Sequence, residues 1–342
     1  MTMNDLRCYQ PLLDELKPWA GDVPIGYNVD FMGTLIDVRF QPMLHLSPSE
    51  VGGHYIETKL PPLGNGVNSE WWFETVNWLL AAREASGQFV MMTLGAAYGG
   101  QAVGAYQALQ LVNPLPCKLV AVEPEPENFQ WVIRHLRDNG IDPDAHWLVP
   151  LAISDRNDPV LFPVGSPGWG AHNCYASNEP NARAVYTDEI VARGNAAEAL
   201  RNLLINNTTG IIKPVHPELD EMTEIKYVSA LTLLDLLGAF DFVDYVESDL
   251  QLSEILVFPP FMDILRAKVR RIHIGTHMKE YHWYLHKLFA ENGWEIVFSF
   301  EPSSRHVCDL GVFEFNDGVL TVTNPDLRGS GNPSIAGTAH SK

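Results

Sequence analysis

Residues 89–99 read FVMMTLGAAYG, an apolar run of β type that breaks into a glycine-punctuated turn, and a second apolar run, KLVAVE, ends on Glu123 about one βαβ unit later. Gly95 and Gly99 permit a tight turn and a close approach of backbone to ligand, and a carboxylate at the tip of the next strand can accept the protons of two ribose hydroxyls. The pairing is the one by which a nucleoside is held at the edge of a parallel sheet. A bare G-x-x-x-G also joins strands to helices with nothing bound, so the loop takes its meaning from its surroundings.

Upstream, Trp72, Val76, Leu79 and Leu80 recur at helical spacing between a cap at Asn68 or Ser69 and a stop at Gly87. Downstream, the pattern predicts a helix over 100–112, a strand over 118–123, a helix over 126–139 that Pro126 opens and Asn139-Gly140 closes, and a strand near 147–152. Residues 164–225 break this rhythm with a glycine-rich polar stretch, a helix over 187–205 and NNTTG, and read as an insertion or lid. Alternation resumes with LTLLDLL as a helix, FVDYVESDL as a strand, SEILVFPPFMDILRAK as a helix broken at its prolines, RRIHIGTH as a strand and a helix over 279–291. WEIVFSF and DLGVFEF are then expected to close the sheet, the second leading through Asn316-Asp317-Gly318 into VLTVT as a hairpin. The expected fold is α/β, a doubly wound seven-stranded sheet, with residues 1–65 as an N-terminal extension, 66–323 as the main domain and 324–342 as a flexible tail.

The chain of 342 residues carries 42 acidic and 23 basic side chains, a formal net charge of -19. Phosphate backbones and anionic lipid surfaces need clustered cations, and the one dense group is Lys268, Arg270 and Arg271. Neither nucleic acid nor a membrane is expected as a partner. Cys8, Cys117, Cys174 and Cys308 lie far apart without metal-ligand spacing and read as reduced thiols, while Asp5 and Arg7 stand where a leader would need apolar residues. A cytoplasmic location is the expectation.

The ordered set of a glycine loop after the first strand, VAVEPEPENFQWVIRHLRDNGID, LAISD, LTLLDLL, VDYVESDLQLSE and RIHIGTH resembles the FkbM family of S-adenosylmethionine-dependent methyltransferases, from about residue 66 to 323. The resemblance implies a class I methyltransferase fold, Rossmann-like with an antiparallel last strand, acting on a hydroxyl of a sugar, polyketide or other small metabolite. By that likeness Gly95, Ala97 and Gly99 form the loop under the cofactor with Tyr98 nearby, Glu123 holds the ribose, Ala152 and Ile153 sit at the adenine edge, and Asp249 faces the methionine end. Thr93 stands where the family usually has an acidic residue near the cofactor amine, Glu247 where lysine or histidine is common, and Leu252 where glycine is common.

The residues point the same way on their own terms, because ligands of open parallel sheets lie outside the carboxyl ends of the strands, where Glu123, Asp249 and His277 fall. His273, Gly275 and His277 alternate onto one strand face, and Glu247, Asp249 and Gln251 share a face of the neighbouring strand. Such a group offers either ligands for a divalent metal or a general base. A base or substrate contact at His277 is expected, and a metal is not. Methyl transfer to an alcohol needs a proton acceptor, for which Asp249 and His277 are the candidates, with Glu247 beside them and His172 in the insertion as a third. Glu247 and Asp249 would repel if both ionised, so one is expected to have a raised pKa or a cationic partner. Two other readings compete: a catalytically inactive binding or assembly module, suggested by Thr93 and Glu247, and an NAD-dependent oxidoreductase, which the missing G-x-G-x-x-G disfavours.

Overall fold

The computed structural model describes residues 3–40, 55–57, 65–66, 70–164, 224–308 and 311–329. Helix α1 (Glu70–Glu84) leads into strand β1 (Phe89–Leu94), followed by α2 (Gly100–Val112), β2 (Cys117–Val122), α3 (Pro126–Asp138) and β3 (Trp147–Val149). The second half contributes α4 (Leu233–Gly238), β4 (Val243–Ser248), α5 (Met262–Lys268), β5 (Val269–Thr276), α6 (Lys279–Glu291), β6 (Glu295–Phe300) and β7 (Gly318–Thr323). These strands form one seven-stranded sheet in the order β6-β7-β5-β4-β1-β2-β3, with β7 antiparallel to both of its neighbours.

Side chains that alternate along each strand feed two cores. Phe89, Met91, Leu119, Ala121 and Tyr245 point to the face covered by α1, α2 and α3, whereas Val90, Met92, Leu94, Val120, Val246 and Ile272 meet α4, α5 and α6. β1 is buried along its whole length, which explains its unbroken apolar sequence. α2 packs tightly on α1: a Cβ on Gly104 would lie 2.4 Å from the Trp78 ring. At the start of α3 the Glu125 side chain accepts from the Asn128 backbone N–H at 2.7 Å, and Pro126 occupies a first-turn position where its missing N–H costs nothing.

The described part of the N-terminal region sits against this frame. Leu6, Leu12 and Leu13 join the first core, and a hairpin of Tyr27–Val29 with Leu35–Asp37 is held to α3. There the Tyr27 hydroxyl donates to Asp138 at 2.9 Å, Asn139 Nδ2 donates to the Leu35 carbonyl at 2.9 Å, and Arg134 pairs with Asp37 at 2.7 Å.

Two sequence expectations are corrected. The strand near 147–152 stops at Val149, and Ala152–Ile153 instead pairs in parallel with Ala230–Leu231 outside the main sheet. DLGVFEF does not join the main sheet or form the expected hairpin with VLTVT: Gly311–Phe315 pairs with Ser304–Cys308 and with Asn65–Gly66. Aromatic packing decides this, since Phe315 stacks on Phe300 at 4.9 Å and Phe313 is buried against Phe73 at 5.8 Å. β7 instead inserts between β5 and β6, and Gly318 makes room for it, because a Cβ there would lie 2.3 Å from Thr276 Oγ1. The helix expected over 187–205, with His172 and most of the insertion, lies outside the described residues.

Candidate cofactor and acceptor site

The loop after β1 turns through three left-handed residues, Gly95 (φ +78°), Ala97 (φ +47°) and Gly99 (φ +84°). Gly95 is required twice over, for its φ and because a Cβ would lie 2.0 Å from the Asp249 carbonyl oxygen. That contact is the close packing of β1 against β4, whose ends are tied where Asp249 N–H donates to the Leu94 carbonyl at 2.9 Å. On the other side, the N–H groups of Gly95 and Ala96 donate to the Val122 carbonyl. The glycine loop therefore links the ends of β2 and β4, and the carboxylates of Glu123 and Asp249 flank it.

Glu123 is 5% exposed and each of its oxygens accepts one backbone N–H, from Ala97 at 2.7 Å and from Glu125 at 2.9 Å. Burial pushes its carboxyl up to about 8, against the pull of those N–H groups. An ionised carboxylate has about four acceptor positions. The Asn128 side chain also hydrogen-bonds to that of Glu123, which leaves room for a further donor that a ribose hydroxyl would supply, so the loop and Glu123 fit an adenosyl cofactor.

At the end of β4 the Asp249 side chain is 39% exposed and lies 3.2 Å from His277 Nε2, just beyond β5. Burial disfavours the charged imidazole, but the carboxylates of Asp249, Asp317 and Glu254 outweigh it and hold His277 up to about 10. Burial would raise Asp249, yet the hydrogen bond with His277 leaves it below the ordinary carboxylate value. Gln251 Nε2 donates to Asp249 Oδ1 at 2.6 Å and lies 2.7 Å from His277 Nε2. A Cβ at Gly275 would meet Asp249 Cγ only at 3.9 Å, so the space beside Asp249 expected from this glycine is present.

Several expected site residues lie elsewhere. Glu247 does not reach the strand ends: its side chain, 3% exposed, accepts from the Tyr245 hydroxyl and from Trp78 Nε1 and faces His273 Nε2 at 3.6 Å. His273 is held by Thr321 Oγ1 and Asn77 Nδ2 at 2.7 and 3.0 Å, so the two histidines of RIHIGTH belong to different groups. Burial first, then the neighbouring Glu74 charge, raises Glu247 well above its ordinary value, while Asp249 has His277 as partner. Both remedies for the repulsion of these two carboxylates are therefore in use. Thr93 is buried opposite Glu247 in the β1–β4 register. Tyr98 turns away from the strand ends and stacks between Phe40 at 4.4 Å and His135 at 5.0 Å. Ala152 and Ile153 are 2% and 3% exposed, with Ile153 in the second core.

Sequence reasoning passed over the acidic side of α1. Glu70 Oε1 accepts from the backbone N–H groups of Asn316 and Asp317 at 2.7 and 3.0 Å and so fixes the turn that brings Asp317 to 3.9 Å from His277. The available signal was the spacing of Glu70, Glu74 and Asn77, polar residues at helical intervals among the aromatic and aliphatic side chains of the first half of α1.

No protein-family model matches the chain. It is similar to a candidate methyltransferase of Jannaschia sp. (strain CCS1), 26% identical over 270 residues that cover 77% of this chain and 84% of that one. Among solved structures, a precorrin-6Y C5,15-methyltransferase from Geobacter metallireducens aligns over 76% of this chain and 92% of its own at 7% identity and a TM-score of 0.37. The methyltransferase FkbM from Methylobacillus flagellatus aligns over 69% and 44% at 9% identity and 0.37. By its strand order with β7 alone reversed the chain has the class I methyltransferase fold, in keeping with its sequence similarity to the Jannaschia protein.

Proposed function

We propose that the protein is an S-adenosylmethionine-dependent O-methyltransferase of FkbM type that acts in the cytoplasm on a hydroxyl of a small metabolite such as a sugar or polyketide. The observation that carries this reading is the pair of carboxylates on either side of the glycine loop, Glu123 with acceptor capacity to spare and Asp249 open to solvent next to His277. In this reading Gly95, Ala97 and Gly99 cradle the cofactor, Glu123 binds its ribose, and Ala152 and Ile153 line the adenine edge from behind. Asp249 and His277 face the reacting groups, and Glu247, enclosed by Tyr245 and Trp78, supports them from the core.

S-adenosylmethionine, when bound, supplies a methyl group already activated by its sulfonium. The protein's own task is then to hold the acceptor oxygen in line and receive its proton. Asp249 is the proton acceptor of the pair, because His277 beside it is held in its charged form. The choice of acceptor is assigned to residues 1–65 and 164–225, whose sequences interrupt the regular alternation. Incubation with methyl-labelled S-adenosylmethionine and a panel of hydroxylated small molecules tests the reading. Label in an alkali-stable methyl ether, lost in Asp249→Asn, is expected; label only on nitrogen or carbon would contradict O-transfer, and cofactor binding with no transfer to any acceptor would favour a binding module.

A further inference from the structure

Asp249 Oδ1, Gln251 Nε2 and His277 Nε2 form a triangle with edges of 2.6, 2.7 and 3.2 Å. Three polar atoms in mutual contact cannot alternate donor and acceptor around the ring. With the amide NH2 inward and His277 protonated at Nε2, two donors meet on the Gln251–His277 edge; with Nε2 unprotonated, it meets Asp249 Oδ1 as a second acceptor at 3.2 Å. Turning the amide oxygen inward sets it against the Asp249 carboxylate. With Asp249 ionised every assignment leaves one repulsive edge, and His277 and Gln251 are largely withdrawn from water, where such a contact is costly.

The same place collects unpartnered atoms. Gln251, 8% exposed, has no partner for Oε1, and His277 has none for Nδ1. Gln251 and Leu252 both adopt left-handed φ values, +49° and +82°, and this turn is what presents the amide to the other two groups. The Glu254 carboxylate lies behind it, its oxygen within 4.8 Å of the Asp249 and His277 ligand atoms.

We propose that Asp249, Gln251, Glu254 and His277 bind a divalent transition-metal ion. A cation seated over the face of the triangle makes all three contacts attractive at once, with the amide turned to present its oxygen and the imidazole releasing its Nε2 proton to present an electron pair. Neighbouring ligands around an ion with bonds near 2.1 Å stand about 3 Å apart, which is the scale of the observed edges. One imidazole nitrogen among oxygen donors suits Mn²⁺, Fe²⁺ or Zn²⁺ better than Ca²⁺. A second group, Glu74, Glu247 and His273, is equally compact but already resolved by internal hydrogen bonds: Tyr245 and Trp78 donate to Glu247, while Asn77 and Thr321 satisfy His273 Nδ1. The site claim stands without the proposed methyl transfer; if that reading also holds, the ion would bind the acceptor oxygen and make its proton easier to lose.

The test is titration of the full chain with Mn²⁺, followed by loss of the free-ion paramagnetic resonance signal, and with Zn²⁺ against a chromophoric chelator. One ion per chain is expected for at least one of the two metals, with affinity reduced roughly tenfold or more in Asp249→Asn and His277→Ala. Gln251→Glu, which adds an anionic ligand, is expected to tighten binding about tenfold, a gain that misfolding cannot imitate. Glu74→Gln is expected to leave it unchanged. Absence of saturable binding by both metals, or binding that Glu74→Gln weakens and Asp249→Asn does not, overturns the site. S-adenosylhomocysteine binding measured on the same metal-free preparation separates the two claims: if it is retained while neither metal binds, the metal site falls and the methyltransferase reading stands.

Discussion

Gly95 shows how much can rest on one hydrogen atom. Its positive φ turns the chain after β1, and its missing side chain lets β4 approach until the Asp249 carbonyl occupies the place of a Cβ. Gly95→Ala must push that carbonyl aside in a left-handed conformation that alanine disfavours, so it is expected to cost about 2 kcal/mol or more in stability and to abolish S-adenosylhomocysteine binding. Denaturant unfolding and calorimetry on the variant check both. That the glycines turn the chain after β1 and that Glu123 and Asp249 follow strand ends was legible in the sequence, because turn chemistry and strand ends are local signals. The partition of His273 and His277 was not: they alternate on paper, but Asn77 of α1 and Thr321 of β7, which capture His273, are remote in sequence. Glu70 and Asp317 escaped for the same reason, meeting across 247 positions of chain.

At the scale of elements, periodicity located helices and strands closely, and α2 and β5 fall where their patterns put them. What failed was pairing. An N-D-G turn between two apolar runs argues for a hairpin, but Phe313 and Phe315 gain more by packing on Phe73 and Phe300 than the turn gains locally. Pairing of β7 with β5 and β6 depends on the absent Gly318 side chain, a non-local requirement that no turn motif expresses. Packing between α1 and α2 is similarly exacting. Gly104→Val would drive methyl groups into the Trp78 ring, and a loss of about 1–3 kcal/mol is expected from overpacking. An undiminished thermal midpoint in that variant would show that α1 is free to shift.

Across the whole molecule, the buried polar groups set the pH range of stability. Burial lowers His135 and His282 to about 4 and His273 to about 3. The unfolded chain, with ordinary imidazoles near 6.5, therefore takes up protons first as pH falls. Stability contributed by the neutral rings is complete above about 6.5 and is lost progressively as pH drops toward 4 and 3. The raised Glu123 and Glu247 carboxyls act the other way over the same window, so the test is the difference between two proteins: His273→Gln is expected to lose less stability on acidification than the wild type, and identical pH slopes in both would contradict the burial of this ring. No helix among the described residues is long and apolar enough to cross a membrane. The sheet order and the net charge of -19 frame the same picture of a class I methyltransferase fold whose strand ends gather carboxylates.

The central claim is that the glycine loop and Glu123 form an adenosyl site, and calorimetric titration with S-adenosylhomocysteine, on the wild type and on Glu123→Ala, tests it most directly. The account predicts micromolar-range affinity that falls by roughly tenfold or more when the carboxyl is removed, since its hydrogen bonds to the ribose are lost at about 0.5–1.5 kcal/mol each. No binding at millimolar ligand, or binding indifferent to Glu123→Ala, would contradict it.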